Sequence, residues 1–179
     1  MSDYKANEIH LINRPSGLPS HSDVDRVQVE LQPPASGQIL IKNLYMSVDP
    51  YMRGRMRENA VYAQAYQLNK PMYGGAIGKV IESNSDKVKA GDIVLNQGAW
   101  RDGLVADDTT VTVLQPFDDD SLSLYLGVLG MPGVTAYVGL KKLGEPKAGE
   151  TVFVSAASGA VGAIVCQIAK QLGLSLIHI

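Results

Sequence analysis

The stretch from Thr151 to Gly173 constrains the fold more than any other part of the chain. It opens with a short β-branched run, Thr151 to Val154, and continues into a glycine-containing turn at Ala157–Gly162. Apolar residues then recur at helical spacing, at Val161, Ile164, Val165, Ile168 and Leu172. The order of strand, tight turn and helix predicts a βα unit.

The turn resembles a dinucleotide-binding fingerprint, with alanine at the first glycine position. Backbone N–H groups at the start of a helix point outward unpaired, and the helix dipole adds partial positive charge there. The backbone of such a turn can hold a pyrophosphate, so we predict cofactor contacts from Ala157, Ser158, Gly159, Ala160, Val161 and Gly162. Gly159 lets the backbone approach the phosphates, and Gly162 lets the helix pack on its strand. The alternative is an ordinary strand–helix turn whose glycines serve packing alone.

The composition excludes several classes of protein. Lys and Arg total 16 against 18 Asp and Glu, a net charge of −2, which indicates no nucleic-acid or anionic membrane partner. The apolar runs are shorter than the ~18 residues that a membrane span needs, and the first ten residues lack the apolar core of a secretion signal. Cys166 is the single cysteine, which excludes an internal disulfide and favours a small core residue over a nucleophile. We therefore expect a soluble, cytoplasmic protein.

Residues 24–113 are predicted to be mainly β. Val27, Val29 and Leu31 alternate with polar residues, the period of a half-buried strand. A second strand is predicted over 39–48 with a phase slip near Asn43, and further strands at 78–82, 93–96 and 110–114. Short strands at close spacing favour a partly open barrel or a sandwich.

The pattern changes near residue 120, where we place a domain boundary. The acidic run Asp118–Asp120 is typical of a solvated link and a helix N-terminus. From Leu122 to Leu143 the sequence predicts two helices with a break at Gly130–Gly133, because proline lacks the helical N–H. Residues 1–120 thus form a β-rich domain and residues 121–179 begin a nucleotide-binding domain, which makes the fold class α/β overall.

Three segments together resemble the zinc-independent alkenal/one oxidoreductase branch of the medium-chain dehydrogenase/reductase superfamily. They are NLYMSVDPYMRGR at 43–55, GMPGVTAYVGL at 130–140 and AASGAVG at 156–162. The resemblance covers residues 5–173 and implies a GroES-like, partly open β barrel followed by the start of a Rossmann domain, a doubly wound parallel sheet. It also implies NADPH as cofactor, an enone or enal as substrate and a homodimeric parent enzyme.

The resemblance carries roles to individual residues. It makes Met131 and Thr135 neighbours of the nicotinamide. It assigns the floor of the substrate cleft to Asn43, Asp49, Pro50 and Tyr51. Tyr51 becomes the candidate catalytic donor to a substrate enolate, with a packing role as the alternative. For Arg53 and Arg55 we favour structural or solvated roles over contact with an acidic substrate group or a cofactor phosphate.

The residues at the zinc-ligand positions predict that the protein holds no metal. Zinc-dependent relatives carry a cysteine three residues before the aspartate that corresponds to Asp49, where this chain has Met46. They also carry a Gly-His-Glu further on, where this chain has Gly74-Gly75. Zinc needs thiolate, imidazole or carboxylate ligands. Without a metal, reduction of a conjugated double bond is easier to arrange than reduction of a carbonyl, because hydrogen-bond donors can stabilise the enolate.

Two other functions remain open at this point: a zinc-free NADPH quinone reductase, and a non-catalytic reductase-like scaffold. Asp49-Pro50-Tyr51 and Thr135 argue against the scaffold. The segment 174–179 departs from the second strand of the family, so we expect a truncated Rossmann domain. We also expect the 179-residue chain to be inactive by itself, with the family's catalytic tyrosine and its contacts to the 2′-phosphate beyond it.

Overall fold

The computed structural model describes residues 4–61, 63–115, 117 and 119–178, and of Asp119 and Asp120 only the backbone. The chain divides into two compact units, Met1–Phe117 and Asp118–Ile179. Compactness does not by itself show independent folding, so the domain boundary at residue 120 stays a prediction. Asp118 and the side chains of Asp119 and Asp120 lie outside the described residues, and so does the solvated link predicted there.

The first unit contains two antiparallel sheets. A three-stranded sheet has the order β2-β1-β4, with β1 at Lys5–Leu11, β2 at Val24–Glu30 and β4 at Lys70–Pro71. A five-stranded sheet has the order β7-β3-β5-β6-β8, and its members are β3 (Gln38–Met46), β5 (Ala76–Ser83), β6 (Ile93–Asn96), β7 (Gly103–Asp107) and β8 (Thr112–Leu114). In the described part of the unit these sheets do not close into a barrel.

The strands β2, β3, β5, β6 and β8 confirm the strand predictions. The phase slip predicted near Asn43 is a register shift between Asn43 and Tyr45, where β3 pairs with β5. The sequence did not predict β1, because the charged residue Glu8 occupies one of its inward-facing positions. The buried carboxylate of Glu8 forms ion pairs with His10 Nε2 at 2.7 Å and with Arg101 Nη1 at 3.4 Å. Burial lowers the pKa of Arg101, and the charge of Glu8 opposes this shift.

One helix of the first unit was also missed. Helix α1 spans Pro50–Arg55, with Asp49 before it and Pro50 in its first turn, where proline is tolerated. It is too short for a helical period to be visible in the sequence. Met52 from this helix joins a buried cluster with Leu11, Met56, Tyr66 and Met72. A second cluster, on the larger sheet, contains Ile39, Ile41, Val80, Val88 and Val94.

The second unit begins with a 3-10 helix at Asp119–Leu126, which overlaps the first of the two predicted helices. Helix α2 (Met131–Tyr137) follows and continues as a π-helical segment, Val138–Gly144. The break between the two helices therefore lies before residue 131, slightly earlier than the predicted position at 130–133. Pro132 and Gly133 belong to the first turn of α2. Gly133 is required there, because a Cβ would lie 1.7 Å from the carbonyl oxygen of Val128.

The end of the second unit is the predicted βα unit with a further strand. Strand β9 (Thr151–Val154), helix α3 (Gly162–Gln171) and strand β10 (Ser175–His178) follow one another, and β10 pairs with β9 in parallel. Leu140, Ala169 and Leu174 form the small core. The architecture is thus the predicted α/β class: an open β-rich unit and the start of a Rossmann domain. Among the described residues, no helix has both the length and the apolar character that crossing a membrane requires.

Candidate functional site

The turn between β9 and α3 has the form that the sequence predicts. Ala156 adopts the left-handed backbone conformation, with φ of 49°, and its carbonyl oxygen accepts a 2.9 Å hydrogen bond from the N–H of Gly159. The N–H of Ala163 then donates to Gly159 O at 2.9 Å, which starts the helical hydrogen bonding. The prediction of strand, tight turn and helix is confirmed.

The two glycines of the turn are not equally constrained. A Cβ on Gly162 would lie 2.3 Å from Ala156 O and 2.9 Å from Ala157 Cα, so no other residue fits without moving the backbone. A Cβ on Gly159 would lie 3.1 Å from the same oxygen, a tight contact that a small shift relieves. Gly162 therefore allows α3 to begin close to the backbone of the turn, at Ala156 and Ala157. The sequence analysis predicted that this glycine lets the helix pack on its strand, whereas the nearest backbone is that of the turn.

The amides at the start of α3 are available to an anion. In the described part of the chain, the backbone N–H groups of Ala160, Val161 and Gly162 donate no hydrogen bond. A cavity of about 340 Å³ opens beside them, and its lining includes Val154, Ser155, Gly159, Gly162 and Val165. Free N–H groups and the positive end of a helix dipole are what a pyrophosphate binds. The residues present therefore fit the phosphates of a dinucleotide.

Thr135 and Met131 lie on the surface of α2. Both side chains are exposed, Met131 to 76%. Helix α2 packs against α3 within the same unit. The contact of these two residues with a nicotinamide stays a prediction.

Tyr51 lies in α1, half-buried, and belongs to a cluster that the sequence reading missed. Arg55, one helical turn further on, is only 6% exposed. Its guanidinium carbon lies 4.0 Å from the ring centroid of Tyr73, 4.3 Å from that of Tyr66 and 5.9 Å from that of Tyr51. We call these four residues the arginine–tyrosine cluster. The spacing of Tyr51 and Arg55 by four residues was the signal in the sequence, because such residues share a helix face.

The two arginines of α1 have structural contacts, as we favoured from the sequence. Arg55 Nε donates to Gln64 O at 2.9 Å. Arg53 lies outside the cluster: its Nε donates to Gly17 O at 3.1 Å, and its Nη2 donates to Pro15 O at 3.0 Å.

The side chain of Asn43 is hydrogen-bonded to the loop that precedes β7. Its Nδ2 donates to Gly98 O at 2.8 Å and to Arg101 O at 2.9 Å, and its Oδ1 accepts from Asn96 Nδ2 at 3.0 Å. Asn43 lines a cavity of about 380 Å³, whereas Tyr51 lines a separate one of about 180 Å³. In the described part of the first unit, these two predicted cleft residues thus line two different cavities.

Asp49 and Pro50 organise the start of α1. The carbonyl oxygen of Asp49 accepts from the N–H of Met52 at 3.0 Å, which forms the first turn. Asp49 is half-buried and Pro50 is exposed. Their part in a substrate cleft stays a prediction.

The positions of the zinc ligands hold other groups. Met46 is 40% exposed. At Gly74 a Cβ would lie 2.4 Å from Met52 Cε and 3.3 Å from the hydroxyl oxygen of Tyr51, so these side chains occupy the space of a larger residue. Among the side chains that the structure describes, those of residues 4–61, 63–115, 117 and 121–178, no three of His, Cys, Asp or Glu come together to hold a metal.

Known proteins resemble this chain over nearly its whole length. The 2-alkenal reductase (NADP⁺-dependent) of Nicotiana tabacum is 43% identical over 171 residues, which are 93% of this chain and 50% of the relative. The NADPH-dependent curcumin reductase of Escherichia coli is 39% identical over 169 residues, 94% of this chain and 49% of the relative. The chain thus spans about half the length of these curated relatives.

Solved structures confirm the fold. The crystal structure of CurA from Vibrio vulnificus in complex with NADPH superposes with a TM-score of 0.88 at 37% identity, over 96% of this chain and 51% of that one. The family model described as the N-terminal domain of oxidoreductase matches residues 7–114. The chain therefore belongs to that oxidoreductase family, within the alkenal/one oxidoreductase branch of the medium-chain dehydrogenase/reductase superfamily that its motifs resemble.

Proposed function

We propose that the whole protein reduces the carbon–carbon double bond of α,β-unsaturated ketones and aldehydes, with NADPH as reductant. The observation that carries the proposal is the turn at 156–162, whose free amides and close glycine approach fit a dinucleotide. The activities named for the tobacco and Escherichia coli relatives support the substrate class.

The residues that would hold the cofactor belong to the second unit. The N–H groups of Ala160, Val161 and Gly162 would bind the pyrophosphate, with Ala157, Ser158 and Gly159 shaping the turn. Thr135 and Met131 would lie beside the nicotinamide. When bound, NADPH supplies a hydride for the β carbon of the alkene.

Tyr51 would donate a hydrogen bond to the carbonyl oxygen of the substrate. As the β carbon gains hydride, negative charge moves to that oxygen, and a donor fixed in place stabilises the resulting enolate. The α carbon then takes up a proton from a side chain or from water to give the saturated ketone or aldehyde. Asn43, Asp49 and Pro50 would shape the cleft, Asn43 through the loop that its amide braces.

We also propose that the reaction uses no zinc. Met46 and Gly74 stand where zinc-dependent relatives carry ligands, and neither residue offers a thiolate, imidazole or carboxylate. Activity of the whole protein should survive exhaustive dialysis against a chelator. Stoichiometric zinc that is lost together with activity would contradict this.

The experiment that tests the function follows the hydride. The whole protein is incubated with a small enone and NADPH deuterated on either face of C4, and the product is analysed by mass spectrometry and NMR. We expect a saturated ketone, with deuterium on the β carbon when the label is on the face of C4 from which hydride is transferred. An allylic alcohol with deuterium on the carbinol carbon would contradict the proposal. If the protein reduced a benzoquinone and did not reduce the enone, quinone reduction would replace the proposed function.

Two further proposals concern the setting of the whole protein. We propose a homodimer, to be tested by light scattering after size-exclusion chromatography, where a monomer would contradict it. We propose a cytoplasmic location, to be tested by cell fractionation. A domain boundary near residue 120 would appear as cleavage there in limited proteolysis.

A further inference from the structure

Arg55 is buried, and in the described part of the chain it makes no ion pair with a carboxylate. The ion pairs in the described residues join Glu8 to His10 and to Arg101, and none involves Arg55. A buried cation without a partner is costly, because its hydration is lost. Here the compensation comes from one main-chain oxygen, Gln64 O, and from the ring faces of three tyrosines.

The cluster is tied to the backbone at several points. The N–H of Tyr66 donates to Arg55 O at 2.7 Å, and the hydroxyl of Tyr66 donates to Tyr73 O at 2.7 Å. The rings of Tyr66 and Tyr73 meet edge to face, with centroids 5.3 Å apart. These contacts fix the position of the Arg55 guanidinium, whose carbon lies 5.9 Å from the centroid of the Tyr51 ring.

Tyr51 is held from two sides. Arg55 stands one helical turn along α1 and faces the Tyr51 ring. Gly74, which follows Tyr73 directly, has no side chain, and this leaves room for the Tyr51 hydroxyl. The charge of Arg55 and the space at Gly74 together limit where the Tyr51 ring can lie.

We propose that Arg55 is a positioning residue, which holds Tyr51 in the orientation that its hydrogen bond to the substrate requires. This inference rests on the proposed function, because it assigns Arg55 a part in the same reaction. Arg55 itself does not contact the substrate and acts through Tyr51.

A double-mutant cycle in the whole protein tests this role. We expect Arg55→Met to lower kcat for a small enone about tenfold, a coupling of ordinary size between contacting residues, with the dissociation constant of NADPH unchanged. In the Tyr51→Phe background the same substitution should change kcat less than about twofold, since the group it positions is gone. Equal effects in both backgrounds would overturn the proposal while leaving the function intact.

Arg53→Met is the matched control. It makes the same substitution in the same helix, at an arginine whose hydrogen bonds go to Pro15 and Gly17 and not to the cluster. We expect it to leave kcat unchanged. A loss of kcat equal to that of Arg55→Met would show a general effect of α1 and would overturn the proposal.

A measurement without turnover separates this proposal from the proposed function. In protein labelled with ¹³C-tyrosine, the Tyr51 ring signal is the one that Tyr51→Phe removes. Arg55→Met should shift this signal, and Arg53→Met should not. Where Arg55→Met does not fold, Arg55→Gln, which also removes the charge and keeps a hydrogen-bond donor, gives the same comparison. A Tyr51 signal unchanged by loss of the guanidinium would overturn the positioning role, whether or not the protein reduces an enone.

Discussion

The hydroxyl of Tyr66 donates a 2.7 Å hydrogen bond to the main-chain oxygen of Tyr73, whose ring it meets edge to face. Tyr66 is only 1% exposed and belongs to the buried cluster around Met52. Burial raises the pKa of Tyr66 from 10.0 to about 12, although the nearby charge of Arg55 acts in the opposite direction. Burial therefore keeps the hydroxyl of Tyr66 protonated at a pH where an exposed tyrosine ionises.

This raised pKa predicts a loss of stability at alkaline pH. Between pH 10.0 and about 12 the unfolded chain releases the Tyr66 proton and the folded protein retains it, so stability falls as the pH rises through this window. The loss approaches about 2–3 kcal/mol at its upper end. Urea unfolding across this range should show the decline, and Tyr66→Phe should reduce its slope. An equal slope in both proteins would show that other groups cause it.

Substitution of the turn glycines should separate packing from cofactor binding. Gly162→Ala forces its Cβ against Ala156 O, at 2.3 Å, and should destabilise the second unit by about 1–3 kcal/mol. Gly159→Val should fold and should weaken NADPH binding by the whole protein, because the side chain crowds the approach of the phosphates. Fluorescence titration measures the second effect. An unchanged dissociation constant in Gly159→Val would remove this turn from the cofactor site.

Tyr51→Phe removes one hydroxyl from the proposed cleft. If that hydroxyl stabilises the enolate, kcat should fall about 10²–10³-fold, the effect of losing one such donor. The dissociation constant of NADPH should stay the same, since the residues proposed to bind it lie elsewhere in the sequence. Steady-state kinetics with an enone measure the change. Equal turnover in the two proteins would return Tyr51 to a packing role.

Gly78 should tolerate no side chain. In β5 its Cβ would lie 2.3 Å from Ile41 Cγ2 and 2.8 Å from Lys42 O on the neighbouring strand. Gly78→Ala should therefore destabilise the first unit by about 1–3 kcal/mol in thermal unfolding. Gly54→Ala is the matched control: nothing lies within 4 Å of its Cβ, and alanine stabilises a helix by about 0.5–1 kcal/mol relative to glycine. Similar effects of both substitutions would contradict the packing seen at Gly78.

The 179-residue chain alone should have a well-protected first unit and a weakly protected second unit. Large apolar side chains of the second unit are exposed, among them Leu143, Phe153, Val134 and Ile177. In the described part of this unit the sheet has two strands, and apolar burial stabilises a fold only where water is excluded. We expect slow hydrogen exchange in the first unit, fast exchange over 151–173, and no measurable enone-dependent oxidation of NADPH. Strong protection over 151–173 in a monomer would contradict this.

Local patterns were enough to predict part of the fold. The βα unit at Thr151 was visible because a β-branched strand, a glycine turn and an amphipathic helix each leave a short-range signal. The register shift near Asn43 was visible for the same reason, since a slip in the apolar alternation marks a bulge in the strand. Strand β1 was not visible, because Glu8 faces inward and its partners His10 and Arg101 are known only once the chain is folded.

The candidate site divides in the same way. The sequence by itself determined the motifs: the turn at 156–162, the segment around Tyr51 and the loss of zinc-ligand residue types at Met46 and Gly74. Only the tertiary structure decided that Arg55 lies among three tyrosines and that Gly162 leaves no room for a Cβ. The physical reason is distance along the chain. A motif depends on neighbouring residues, whereas burial, cation–π contacts and steric limits depend on groups that only folding brings together.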